Sequence, residues 1–148
     1  MAGATFSVQV DAELAIAALD RLTPDQMELI TGEIGMMLEQ QTKDRITTEK
    51  RSPEGAPWAP WSARYAASLS KRNRITARSL LYGHPNLEPS IEGGSAGLQA
   101  KVGVYVVYGT VHQFGGRGIP ARPYLGLSAE NRTDISHLVI DRIGDLIQ

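Results

Sequence analysis

Three histidines, His84, His112 and His137, carry the most obvious chemical potential in this chain. Imidazole can ligate a metal or move a proton, but no two of these residues have ligand spacing such as i, i+4 on one helix. A hydrolytic triad on His112 would need a serine at a sharp elbow, and no G-x-S-x-G is present. Gly109, Gly115, Gly116 and Gly118 loosely resemble a phosphate loop. No Lys-Ser or Lys-Thr pair follows them, and a proline stands where the helix should begin. No pair of carboxylates has a spacing suited to acid–base work. With no cysteine, disulfides, thiolate metal sites and cysteine nucleophiles are excluded. The sequence therefore argues against an enzyme and implies no cofactor and no metal site. His112 reads as a structural residue whose ring bonds backbone at a turn.

The elements that must position these residues centre on residues 101–128. Val102, Val104, Val106 and Tyr108 share one parity, with Tyr105 and Val107 on the other, which predicts a strand over 101–108 covered on both faces. A short helical turn closed by glycines follows, over 108–116. Pro120 and Pro123 then fix an extended passage. Residues 124–127 can form a second short strand. Ser128 is a natural N-cap for a final helix over about 129–147, whose apolar stripe is Ile135, Leu138, Val139, Ile143 and Leu146, interrupted by the stem of Arg142.

Upstream, residues 5–10 alternate as a strand with one wet face, and Asp11 can cap a short helix ending near Thr23. Thr23-Pro24 opens a second helix, with Thr23 as N-cap and proline in the first helical position. Its period runs to about Thr47 and makes it the longest element. Gly32 and Gly35 lie inside it and predict close packing against a neighbour. Residues 48–60 form a loop by their prolines and glycine. Ser62 caps a further helix. Residues 95–99 and 101–108 can pair as a hairpin, with Gly93 and Gly94 in an earlier turn. The pattern predicts an α+β fold, a small antiparallel sheet packed on one long helix and a C-terminal helix, with long loops containing Pro, Gly and Trp. A length of 148 residues fits a single domain over 1–148 with a loop-rich segment at about 71–97.

Hydrophobic content of 42% and charged content of 21% are ordinary for a soluble globular protein. A net charge of −1 gives no global attraction to DNA or to anionic membranes. The N-terminus lacks a basic start and a long apolar run, so it does not read as a signal peptide, and no run is long enough for a membrane span. These features suit a protein kept in a cytoplasm or built into something assembled there.

Two strings carry a resemblance. One is HQFGG, a short gap, then IPARPYLGLS, over residues 112–128. The other is SPEGAPWAPWS over residues 52–62. Together they resemble the phage virion morphogenesis family, the tail completion proteins of Mu-like and related tailed phages, over roughly residues 6–127. Residues 79–91 depart from the family pattern, since Pro85 and Pro89 are inserted among Leu81, Gly83, Leu87, Ser90 and Ile91. The resemblance implies a structural virion protein acting in tail completion or termination, or in head–tail joining at the neck. It implies self-association into a closed ring, a hexamer by tail symmetry, and contacts with tail-tube or connector proteins. It places the protein at the head–tail junction of the virion, after assembly in the host cytoplasm.

Candidate interface residues are Trp58, Trp61, Phe114, Arg117, Arg122 and Tyr124, because aromatics and arginines dominate desolvated contacts. The competing reading makes the tryptophans loop anchors and Phe114 and Tyr124 core residues. Arg64, Lys71, Arg72, Arg74 and Arg78 form a basic run that could follow phosphates as DNA passes, in a head-completion (connector) protein or a nucleic-acid-binding module. Without an interleaved aromatic other than Tyr65, base stacking has little support, and a solvated loop is the competing reading.

Overall fold

The computed structural model describes residues 5–8, 20–71, 80–81 and 87–146. Strand β1 (Thr5–Val8) is followed after a gap by the long helix α1 (Pro24–Asp44), which runs into a π-helical turn at Arg45–Glu49. Helix α2 (Ala63–Ser70) comes next, then a 3-10 turn (Glu88–Ser90) and the hairpin strands β2 (Ile91–Ala96) and β3 (Gln99–Val104). Helix α3 (Val107–Phe114) and the C-terminal helix α4 (Ala129–Leu146) complete the chain. This is the expected α+β architecture. The short helix expected over 11–23 lies outside the described residues except for its last turn.

The three strands are antiparallel in the order β1-β3-β2. Val102 pairs with Phe6 on one side and Gly93 on the other, which fixes the register across the sheet. Ile91, Ala100, Val102 and Val104 are buried. They meet Ile30, Ile34 and Leu38, whose i, i+4, i+8 spacing lines one face of α1. The helix starts where the sequence says it should. The Thr23 hydroxyl accepts from Gln26 N, the Gln26 side chain accepts from Thr23 N at 2.9 Å, and Pro24 occupies the first turn. Ser62 and Ser128 likewise accept from Tyr65 N at 3.3 Å and Asn131 N at 3.0 Å.

The structure corrects the hairpin. Gly93 and Gly94 do not turn; they lie inside β2, and the turn sits at Gly97 and Leu98. Gly93 is there because α1 crosses β2 with its backbone almost touching, whereas a Cβ on Gly94 would meet nothing within 4 Å. A Cβ on Gly35 would fall 2.3 Å from the Gly94 carbonyl oxygen, and one on Gly93 would fall 2.0 Å from that of Gly35. Gly35 thus has the packing role expected of it. At Gly32 a Cβ would meet only the Ser95 hydroxyl at 3.7 Å, an ordinary contact. The strand expected over 101–108 stops at Val104, and Val107 onward is helical. Residues 124–127 form no strand; their backbone groups are bonded by side chains instead. Residues 91–96 of the supposed loop-rich segment are strand.

Glu39 closes the same contact. Its carboxylate accepts from Gly93 N at 2.9 Å and from Lys43 Nζ at 2.6 Å. The bond to Gly93 occupies an N–H that the β3 ladder leaves over, at the edge of the sheet. The bond from Lys43, then the one from Gly93, hold the carboxyl pKa below its ordinary 4.5.

Two outcomes follow from this contact. Gly35→Ala should lose about 2–3 kcal/mol in urea denaturation, because the added methyl meets backbone that cannot swing aside; a change within about 0.5 kcal/mol would remove the close approach from the account. For Glu39, the depressed folded pKa means its stabilisation is present above pH 4.5 and is lost as pH falls below that value. The stability gap between the wild type and Glu39→Gln should therefore narrow on acidification from pH 6 to pH 3, and a gap constant over that range would contradict it.

Candidate functional site

The two distinctive loops, residues 52–62 and 112–128, lock into one another. The first is a tight turn, in which Ser52 N donates to Ala56 O at 2.7 Å and Gly55 N to Ser52 O at 2.9 Å. Trp58 is buried and its indole N–H reaches across to the Pro123 carbonyl at 2.8 Å. Arg122 returns the link, with Nε on Ala59 O at 2.8 Å and Nη2 on Pro60 O at 3.0 Å. Its guanidinium lies 5.0 Å from the centre of the Trp61 ring, a cation–π arrangement. Pro53 sits against Gly126, whose φ of +143° and missing Cβ both matter, since a Cβ would fall 2.7 Å from the proline ring.

Helix α3 supports the second loop through one amide. Gln113 Oε1 accepts from Tyr124 N at 3.0 Å and Leu125 N at 2.9 Å, while its Nε2 donates to Leu125 O at 3.2 Å. The side chain serves as a surrogate strand, which is why residues 124–127 need no strand partner. His112 is buried on the same helix, edge-on to Tyr108 with ring centres 6.1 Å apart. Its carbonyl accepts from Arg122 N at 2.7 Å. Tyr124 is wholly buried and donates its hydroxyl to Gly109 O at 2.9 Å. Burial first, and Tyr108 second, push its pKa above the ordinary phenol range.

Arg45, at the π-helical end of α1, completes the assembly. It is fully buried. Nη1 donates to Tyr124 O at 2.7 Å and Gly126 O at 3.1 Å, and Nη2 donates to Asn131 Oδ1. Glu49 lies 3.7 Å from Nε and supplies a partly exposed counter-charge. Desolvation lowers the Arg45 pKa. Asn131 Oδ1 also accepts from Ser128 N at 3.2 Å, so the same oxygen closes the cap of α4. The sequence reading passed over Arg45. Its place at i+7 from Leu38, on the buried line of α1, was the available signal. Lys50 was also passed over. Its Nζ donates to Ile46 O and, at 2.8 Å, to Leu80 O, and burial lowers its pKa to about 8.

Trp58, Arg122 and Tyr124 are buried in the chain with their polar atoms bonded to its backbone, and Arg122 also lines the groove described below. Trp61 is half-buried, packed on Tyr65 at 4.9 Å between ring centres. Phe114 and Arg117 are on the surface. Phe114 is 70% exposed, so it is not a core residue, and it shares the outer face of α3 with Val107, seven residues earlier and 67% exposed. Arg117 projects from a two-residue turn with positive φ at both central positions, 51° at Arg117 and 77° at Gly118, the type I′ pattern. Between this turn and α2 runs an apolar groove of about 310 Å³ whose walls include Trp61, Tyr65, Ile119 and Pro120.

Of the basic run, Arg64 and Lys71 are exposed on and just after α2. Arg72, Arg74 and Arg78 lie outside the described residues, as does His84. His137 is exposed on α4, far in sequence from His112. Among the described residues no group of three or more His, Asp or Glu side chains could hold a metal ion, and no helix is long and apolar enough to cross a membrane.

The phage virion morphogenesis family matches residues 9–144. The putative capsid assembly protein G of Escherichia phage Mu is 27% identical over 147 residues, covering 93% of this chain and 94% of that protein. No solved structure matches significantly.

The interlock makes a sharp stability prediction. Arg45→Met should cost about 3–5 kcal/mol in chemical denaturation, since it leaves the buried Tyr124 and Gly126 carbonyls without this donor and the Asn131 oxygen with Ser128 N alone. Arg45→Lys should recover only part of this, because one ammonium cannot reproduce the planar fork. A loss below about 1 kcal/mol for Arg45→Met would show that the guanidinium does not hold the loops.

Proposed function

The chain belongs to the phage virion morphogenesis family, and on that premise we propose that it is a structural, non-enzymatic protein that completes or terminates the tail, or joins it to the head. In this reading it acts as a closed ring at the neck, of six copies by tail symmetry, and meets tail-tube or connector proteins in the finished virion. The observation that carries the reading is how the motif residues are used. The polar groups of Arg45, Gln113 and Arg122 bond backbone within the chain, so the two loops build a rigid platform and not a reaction centre. What the platform offers outward is apolar and aromatic surface, Phe114, Val107 and the groove beside Ile119. Exposed surface of this kind marks contact with other proteins.

The Mu relative is named for capsid assembly, which fits a role on the head side of the neck as readily as on the tail side. A head-completion or DNA-contacting role through the basic run has Arg64 and Lys71 as its surface residues among those described. The tail or neck role should show in particles made without this gene. Electron microscopy should find DNA-filled heads with tails absent, unjoined or of wrong length. Normal infectious particles would sink the proposal.

A further inference from the structure

We propose that copies of this chain associate head to tail, with a ridge on α1 of one copy seated in the Trp61/Ile119 groove of the next. The inference rests on the ring reading above and names the two surfaces that would make the ring.

The ridge lies on the side of α1 turned away from its core line of Ile30, Ile34 and Leu38. Asp25, Leu29 and Met36 fall at i, i+4 and i+11, one straight line on the helix. Leu29 is 70% exposed and Met36 62%, unusual for large apolar side chains two turns apart on the same face. Asp25 and Glu28 flank them, both exposed, and neither forms an ion pair among the described residues. The ridge is thus apolar along its crest and negative at its N-terminal end.

The groove is its complement. At about 310 Å³ it sits at the small end of the roughly 300–1,000 Å³ of ligand pockets. That space suits one or two aliphatic side chains. No carboxylate lines it. The guanidinium of Arg122 lines it, and Arg64 and Arg117, next in sequence to the lining residues Tyr65 and Gly118, are exposed and without an ion pair among the described residues. The indole N–H of Trp61, one of the groove walls, is buried and has no acceptor among the described residues. Buried indole donors normally find one. Two unpaired acids beside an apolar ridge and two unpaired arginines beside an apolar groove give complementary charge, which sets register and orientation between partners. The two surfaces share no residue, so one copy can give its ridge to one neighbour and its groove to another, a heterologous contact. Repeated with a fixed rotation, such a contact closes into a ring.

The test uses the full chain and static light scattering over a concentration series, with circular dichroism to check folding. Leu29→Glu disables the ridge and Ile119→Glu the groove, and both sites are exposed enough to accept the change. Wild type should form rings, and each variant alone should stay monomeric, its association weakened roughly thirtyfold or more as expected for loss of a contact hot spot. Mixed in equal amounts, the two variants should form dimers and no rings, because one live ridge meets one live groove and both outer ends are dead. Glu28→Arg should weaken assembly, and adding Arg117→Glu to the same chain should restore it. If wild type forms rings and the variants do too, or if folded variants fail to pair on mixing, the ridge-and-groove contact is wrong while ring assembly stands. If wild type remains monomeric throughout, ring assembly itself fails.

Discussion

One buried guanidinium holds this fold in its working shape. Arg45 has no exposed surface, and moving its charge out of water is unfavourable by several kcal/mol unless its donors are matched. The chain matches the two terminal nitrogens with two carbonyls of the 124–126 segment and the side chain of Asn131, while Nε lies 3.7 Å from the Glu49 carboxylate without a hydrogen bond among the described residues. Those acceptors lie some eighty residues away along the chain, so the arginine can be satisfied only when the end of α1, the second loop and the start of α4 have come together. The dependence is reciprocal. Residues 124–127 have no strand to bond them, and without Arg45 and Gln113 their backbone groups would be buried unpaired.

From that constraint the surface follows. Trp58, Arg122 and Pro53 brace the first loop on the second, so the position of Trp61 and Tyr65 relative to Ile119 is set by interior bonds and not by the groove itself. A groove held in this way loses little freedom when a partner fills it, which favours binding through a small contact area. The glycine crossing of α1 on β2 does the same for the helix. With backbones this close, α1 cannot roll, and its outer line of side chains has one orientation relative to the loops.

Features governed by neighbours in sequence were legible. The caps at Thr23, Ser62 and Ser128 depend on bonds over three residues, and all three stand where the residue types place them. The long helix, the small sheet and the final helix follow from periodicity. What failed depended on partners distant in the chain. Gly93 and Gly94 resemble a turn when read locally, and only the approach of Gly35 explains the glycine at 93 inside a strand. The run from Tyr105 to Tyr108 is apolar on both parities, a pattern that a buried strand and the start of a packed helix share. Among site residues, the aromatic-and-arginine signature does not separate an interface anchor from a core anchor, because desolvation selects the same side chains in both. Trp58, Arg122 and Tyr124 proved to be core anchors, while Phe114 and Arg117 stayed outside.

The division of labour between those two sets bears on how a family of this kind can diverge. Residues devoted to internal bonds are constrained by geometry: the Arg45 guanidinium spends its two terminal nitrogens on three acceptors, and only an amide that both gives and takes serves at Gln113. The exposed side chains carry no such restriction from within the chain. The chain shares 27% of its residues with the putative capsid assembly protein G of phage Mu, over nearly all of both lengths. Interior bonds account for the platform, and Phe114, Arg117, Leu29 and Met36 lie exposed on it, outside the hydrogen bonds that lock the two loops.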